Sequence, residues 1–179
     1  MPLNSTGIAC YKRLCLSLAE TANRAETFQS QDATKKFDLS EEFFKKLYIS
    51  CFLTSGQVCM ALKRLYVPRG LFGDVIDGLG VVMDKQVVGD GLKDGVSMGP
   101  LTTPQKKRTV ETMLEEAAAA GQDVRYFGQI DDEGDFAAGQ FLRPSLVVDA
   151  NPSLSVVRDE QFGPTLPVVV YDSESDAIC

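Results

Sequence analysis

The chain has 179 residues, a length that suits a single domain, and carries a formal net charge of −7 at pH 7. Hydrophobic residues make up 44% of it and charged residues 24%, a composition typical of water-soluble globular proteins. The acidic balance and the lack of a basic patch argue against nucleic acid and anionic membranes as partners. No apolar run reaches the roughly 18 residues that a membrane helix needs.

Histidine is absent, and the five cysteines follow no CxxC spacing. The lack of histidine excludes Ser-His-Asp and Cys-His catalysis within this sequence, as well as any histidine-ligated metal. The odd number and irregular spacing of the cysteines argue against a disulfide framework or a zinc site. No secretory signal is visible at the start of the chain, so the sequence predicts a protein of the reducing cytoplasm that holds no metal.

The N-terminal part of the chain contains one clear helix signal. Residues 10–25 form an untidy apolar stripe that permits a helix, whereas apolar residues recur at regular helical spacing over 44–52. Asp38 is the predicted N-cap of the second of these helices, with Glu41 reaching back to complete a capping box. That helix is expected to end near 54–56.

The middle of the chain alternates strand, helix and loop signals. Residues 64–67 predict a short strand, and 71–83 predict an amphipathic helix weakened by three glycines. The glycine- and aspartate-rich stretch 87–101 predicts an extended loop, because it lacks the strand, helix and lysine spacing of a phosphate-binding loop. Residues 103–120 predict the most regular helix of the sequence. Its terminal signals are Thr103 as N-cap, Pro104 in the first turn and Gly121 after the end.

The C-terminal part of the chain supplies three more strand signals, over 124–127, 141–148 and 166–171. The last of these, LPVVVY, is a continuous run of the kind found in strands buried on both faces of a parallel sheet. The acidic stretch 131–139 predicts a solvated loop, and 173–176 predicts a helix start shortly before the chain ends. Helices that alternate with short strands indicate an α/β fold with a parallel-type sheet and flanking helices.

Cys59 is the candidate nucleophile, because it follows the tight turn Gly56-Gln57-Val58. A thiol on a glycine turn can project toward a substrate, and its own backbone N–H can face the same reacting atom. Without histidine, helix or backbone dipoles or a carboxylate base must promote the thiolate. The alternative is a small buried cysteine that only packs, and the turn by itself favours that alternative.

Four motifs occur in order along the chain: FLTSGQVC at 52–59, VVGDGLKDGVSMGPL at 87–101, GQFLRPS at 139–145 and DEQFGP at 159–164. Together they resemble the catalytic domain of the aldehyde dehydrogenase superfamily. The family's patterns are aromatic-x-Asn-x-Gly-Gln-x-Cys with a basic residue downstream, here Arg64, then a Gly-Asp/Asn loop leading to Gly-Pro. Gly-x-Phe-x-x-Pro-Thr and Glu-x-Phe-Gly-Pro follow.

The resemblance implies oxidation of a small-molecule aldehyde to a carboxylic acid with NAD or NADP. It makes Cys59 the nucleophile that forms a thiohemiacetal and then a thioester. It makes Glu160 the residue that holds the nicotinamide ribose and Phe162 the ring that packs near the nicotinamide. It also implies that full-length relatives are homo-oligomers. The alternatives are a surface carboxylate for Glu160 and a core aromatic for Phe162, and the ordered motifs favour the inherited roles.

The resemblance covers residues 32–179 and leaves 1–31 unmatched. Thr54 stands where the family has asparagine. The family's main dinucleotide-binding domain and its glutamate base have no counterpart in this sequence, which predicts a catalytic domain truncated at both ends. An inactive remnant or a non-enzymatic interaction module is therefore the alternative function, and a stand-alone thiol hydrolase that uses Cys59 is a weaker one.

Overall fold

A computed structural model describes residues 39–177, and the structural statements below concern these residues. The predicted helix over 10–25, the unmatched segment 1–31 and the predicted N-cap Asp38 lie outside them. Within 39–177, no helix is both long and apolar enough to cross a membrane.

A four-stranded sheet forms the centre of the molecule. Its strands are β1 (Leu65–Pro68), β3 (Asp123–Tyr126), β5 (Ser145–Val148) and β6 (Thr165–Tyr171), in the spatial order β1-β6-β5-β3. Strand β6 lies between β1 and β5 and runs parallel to both, whereas β3 pairs antiparallel with β5 at one edge. Strands β2 (Val87–Val88) and β4 (Gln129–Ile130) form a separate parallel pair.

The sheet is covered by helices on both faces, as its continuous apolar strands predict. One face packs on α1 (Glu41–Phe52) and α2 (Phe72–Asp84), and the other packs on α3 (Pro104–Ala119) and the single-turn helix α5 (Ser155–Arg158). Alternate residues of β5 and β6 enter the two layers. Leu146, Val148, Leu166 and Val168 face α1 and α2, whereas Val147 and Val169 face α3 and α5. The predicted α/β fold with a parallel-type sheet is thereby confirmed.

Helix α3 begins and ends at the predicted signals. The Thr103 side chain accepts a hydrogen bond from the Lys106 N–H, and Pro104 occupies the first turn. At the other end, Gly121 adopts a φ of +82°. Its N–H donates to Ala118 O, while the Gln122 N–H donates to Ala117 O, which together form a Schellman motif.

Three predicted boundaries are wrong for local reasons. The N-cap of α1 is Ser40, whose side chain accepts from the Phe43 N–H, rather than Asp38. The predicted strand over 141–148 begins only at Ser145, after Pro144, because the proline has no N–H to contribute to a ladder. The predicted loop over 131–139 contains the short helix α4 (Glu133–Ala138), since the Asp132 carboxylate caps it by accepting from the Asp135 N–H.

The structure also contains elements without a clear sequence signal. Helix α5 is four residues long, and its N-cap Leu154 makes no side-chain capping bond. By contrast, the predicted helix start at 173–176 corresponds to the last element, α6 (Glu174–Ala177). The antiparallel direction of β3 was likewise not expected, because an amphipathic four-residue strand pairs in either direction.

Candidate functional site

The turn that precedes Cys59 has a left-handed backbone. After α1 ends at Phe52, the chain makes a tight turn over Leu53–Gly56. Thr54, Ser55 and Gly56 follow one another with φ values of 55°, 57° and 70°. Left-handed backbone costs about 1–2 kcal/mol for a residue with a Cβ. Thr54 and Ser55 are therefore strained, whereas Gly56 tolerates this conformation.

Thr54 is a costly residue at a left-handed position because it is β-branched and exposed. Asparagine, which the resemblance places here, enters this region readily. We expect Thr54→Asn to raise the free energy of unfolding by about 0.5–1 kcal/mol in urea titrations. Thr102→Asn is the control, since exposed Thr102 is not among the described residues with positive φ. An equal gain in both variants would contradict the strain argument.

Side chains of the turn bind the loop that ends at Gly99–Thr102. The buried Ser55 Oγ donates to Gly99 O at 2.7 Å. The Gln57 amide is used at both ends: its Nε2 donates to Pro100 O at 3.3 Å, and its Oε1 accepts from the Thr102 N–H at 2.9 Å. Two hydrogen bonds therefore join the first motif to the second, and a third joins it to the residue that follows. Gln57, to which the sequence assigned no role, makes two of the three.

The second motif continues into the third, and the third into the fourth. The Leu101 N–H donates to Gln140 O at 2.8 Å, which links the end of the 87–101 loop to the GQFLRPS stretch. At the start of β5, the Ser145 N–H donates to Pro164 O at 2.9 Å. Backbone bonds thus carry the connection from the second motif to DEQFGP.

Lys63 lies between the fourth motif and the first and contacts both. Its Nζ donates to Gly163 O at 2.8 Å, and its own carbonyl accepts from Gln161 Nε2 at 3.3 Å. A Cβ placed on Gly56 would lie 2.3 Å from Gly163 O and 2.6 Å from Lys63 Nζ. Gly56 therefore packs directly against the hydrogen bond between Lys63 and Gly163. The four motifs, far apart in the sequence, form one closed ring of contacts, in which hydrogen bonds make three junctions and the packing of Gly56 against Gly163 and Lys63 makes the fourth.

Cys59 lies at the exposed edge of this ring. Its side chain is exposed, in contrast to Cys51, which is 1% exposed and whose pKa burial raises to about 12. Among residues 39–177, no protein acceptor receives a hydrogen bond from the Cys59 N–H. That donor is therefore available to a substrate oxygen, as an oxyanion-binding group requires.

Glu160 and Phe162 lie on the segment that contacts the turn at Gly163. Glu160 is exposed and Phe162 is half-buried. Lys106, in the first turn of α3, places its Nζ 4.6 Å from the centroid of the Phe162 ring. The structure thus brings the segment of Glu160 and Phe162 against the turn that leads to Cys59, through backbone contacts at Gly56 and Gly163.

Lys63 is a buried cation that the sequence did not single out as functional. Its residue exposure is 6%, and burial lowers its pKa to about 8, partly offset by Cys51 and Glu160. The flanking apolar residues Leu62 and Leu65 indicate only that the basic pair lies near the core, and they do not distinguish Lys63 from Arg64. Removing the lysine ammonium from water costs free energy, and its bond to a main-chain carbonyl fixes the position of that carbonyl.

The lowered pKa of Lys63 gives a pH dependence with a definite sign. Between about pH 8 and the ordinary lysine value of 10.5, the unfolded chain binds the proton that the folded chain has released. The free energy of unfolding therefore rises with pH in this window. Subtracting the free energy of unfolding of Lys63→Met from that of wild type gives a difference at each pH. We expect this difference to increase by about 1–3 kcal/mol from pH 7.5 to 10, measured by urea titration.

Taking this difference largely removes the opposite contributions of two other groups, because both are present in each variant and Lys63 has only a secondary effect on the pKa of one of them, Cys51. Burial raises the pKa of Cys51 and of Tyr48 to about 12, which makes each of them destabilising at high pH. A difference that stayed constant, or that fell, over this range would show that Lys63 does not titrate as a buried amine.

Comparison with known proteins agrees with the four motifs. The sequence profile of the aldehyde dehydrogenase family matches residues 33–179, more than half of the chain. The chain belongs to the aldehyde dehydrogenase family. It is 33% identical over 129 residues to the NADP(+) succinate-semialdehyde dehydrogenase GabD of Escherichia coli, covering 72% of this chain and 26% of that relative.

Solved aldehyde dehydrogenase structures share the fold. A crystal structure of Escherichia coli lactaldehyde dehydrogenase superposes with a TM-score of 0.67 at 30% identity, covering 79% of this chain and 29% of that one. Betaine aldehyde dehydrogenase of Staphylococcus aureus, solved in complex with NAD+, gives 0.67 at 25% identity, covering 75% and 27%. This aldehyde dehydrogenase chain spans about a quarter of the length of the curated relatives it matches.

Proposed function

We propose that residues 32–179 are a catalytic-domain portion of an oxidoreductase that converts an aldehyde to a carboxylic acid with NAD or NADP. Family membership supports the reaction class. The observation that carries the assignment to these residues is the closed ring of hydrogen bonds and packing contacts. It packs the turn before Cys59 against the segment of Glu160 and Phe162. A cytoplasmic location and homo-oligomeric full-length relatives remain predictions.

Cys59 supplies the nucleophile in this proposal. Its thiolate attacks the aldehyde carbon to give a thiohemiacetal, and the Cys59 N–H, which donates to no acceptor among residues 39–177, stabilises the oxyanion that forms. NAD(P)+, when bound, would supply the acceptor for the hydride that leaves that carbon. Water then cleaves the resulting thioester, which releases the carboxylic acid and restores the thiol. No histidine is needed, in agreement with the composition.

Glu160 and Phe162 fit the cofactor roles that the resemblance gives them. The exposed Glu160 carboxylate is an acceptor-only group, suited to the two hydroxyls of a ribose. The half-buried Phe162 presents an aromatic surface at the same segment, and the Lys106 ammonium near its ring adds a positive charge that suits an anionic dinucleotide. Both NAD and NADP stay in the proposal, because the relative GabD is named for NADP(+) and the betaine aldehyde dehydrogenase structure holds NAD+.

Calorimetry on the purified 179-residue chain with NAD+ and NADP+, together with aldehyde-dependent formation of reduced cofactor, tests the proposal. Saturable binding that Glu160→Gln weakens about tenfold, since a carboxylate hydrogen bond is lost, would support the proposal. Glu133→Gln is the control, because Glu133 is exposed on α4, outside the ring. Absence of both binding and turnover in the folded wild type would overturn the proposal for this chain and support the alternative of an inactive remnant or interaction module.

A further inference from the structure

Lys63 occupies the seam between the two segments that the proposed chemistry needs. Its ammonium lies between Gly56 of the turn and Gly163 of the DEQFGP segment, within 2.8 Å of Gly163 O. Its backbone carbonyl accepts from Gln161 Nε2. One residue is therefore bound at both its main chain and its side-chain tip by the same three-residue stretch, 161–163.

The seam contains little else that could fix the spacing of the two segments. Gly56 and Gly163 meet without side chains, so their contact has no interlocking groups. The buried Gln161 contributes only its Nε2, since its Oε1 has no hydrogen-bond partner among the described residues. The charge-assisted bond of Lys63 is thus the strongest polar link across the seam.

Burial makes this arrangement specific to a long cationic side chain. Lys63 lies two residues before β1 and is 6% exposed, and its Nζ reaches the turn at Gly56. An ammonium that leaves water needs an acceptor at its tip, and Gly163 O is the one that the fold provides. If Gly163 O moved away, the cation would remain buried without that partner, so the burial of Lys63 favours keeping Gly163 O beside the turn.

We propose that Lys63 is a positioning residue, which holds the turn that leads to Cys59 at a fixed distance from the segment of Glu160 and Phe162. Its importance for catalysis rests on the proposed function, but its effect on the two segments does not. Lys63 itself contacts neither the aldehyde nor the cofactor. Its removal separates two parts of the site and leaves each part chemically complete.

Amide hydrogen exchange on the folded chain tests this, in wild type, Lys63→Met, Lys63→Arg and Lys107→Met. We expect Lys63→Met to speed exchange about tenfold at the hydrogen-bonded amide of each segment, Gln57 in the turn and Thr165, which donates to Gly163 O, while the amides of α3 remain slow. Lys63→Arg, which keeps a charged donor for Gly163 O, restores slow exchange. Lys107→Met is the matched control. It removes another lysine-to-carbonyl bond, from Lys107 Nζ to Gly139 O at 3.2 Å, and spares both segments.

Unchanged exchange in both segments of Lys63→Met, or an increase spread evenly over sheet and helices, overturns the inference. A Lys63→Arg variant that exchanges as fast as Lys63→Met does the same. If Lys63→Met does not fold, Lys63→Gln is judged by the same criteria. NADP+ titration of each variant separates the two proposals. A wild type that binds no NADP+ or NAD+ removes the proposed function and leaves the exchange result standing.

Discussion

Gly56→Ala is expected to lower the free energy of unfolding by at least about 3 kcal/mol, because it combines backbone strain with overpacking. The new Cβ would lie 2.3 Å from Gly163 O and 2.9 Å from Gly163 C, and neither atom can move without shifting the backbone of the DEQFGP segment. The φ of Gly56, +70°, adds the cost of a left-handed alanine. The measurement is urea unfolding at pH 7.

Gly95→Ala is the matched control for this variant. Gly95 has a φ of +88°, and a Cβ there would meet no atom within 4 Å. The Gly95→Ala variant therefore loses only the free energy that a left-handed alanine costs, about 1–2 kcal/mol. The excess cost of Gly56→Ala measures the close approach of the two motifs. Equal losses in the two variants would mean that Gly56 and Gly163 are not in contact in solution.

Cys59→Ser is expected to reduce aldehyde-dependent turnover on the order of a thousandfold or more, because a nucleophile cannot be replaced by binding interactions alone. A serine hydroxyl is almost fully protonated at neutral pH, and the chain has no histidine to accept its proton. Steady-state formation of reduced cofactor measures the loss. Mass spectrometry of the quenched enzyme shows in parallel whether residue 59 carries an acyl group.

Cys51→Ala controls for the loss of a thiol elsewhere in the chain. Cys51 is buried in the layer between the sheet and α1, so this variant changes packing without touching the exposed turn. We expect its folded fraction to turn over at the wild-type rate. Retention of more than a tenth of the activity by Cys59→Ser, or acyl transfer to Cys51, would assign the nucleophile to another group.

The elements that the sequence predicted well are those whose signals are local. The caps of α3 are read from Thr103 and Gly121, and the burial of β6 follows from its uninterrupted apolar run over 166–171. The left-handed turn before Cys59 was anticipated only through Gly56. That Thr54 and Ser55 share its conformation was not expected, because neither residue favours a positive φ.

The features that the sequence did not predict depend on contacts between distant residues. Two of the three bonds of the Gln57 side chain reach residues more than forty positions away, and the Lys63 bond to Gly163 spans one hundred. Nothing local marks Lys63 as buried in preference to Arg64, its half-buried neighbour. Ordered motifs identified the family, whereas the way in which they join became visible only in the fold.

Residue-resolved alkylation of the folded chain tests the central claim most directly. The claim is that the ring presents Cys59 to an incoming carbonyl while it leaves Cys51 packed. We predict that iodoacetamide modifies Cys59 at least about a hundredfold faster than Cys51 in native buffer, and that the two rates converge in denaturant. A Cys59 that reacts only after unfolding, or no faster than Cys51, would contradict the account.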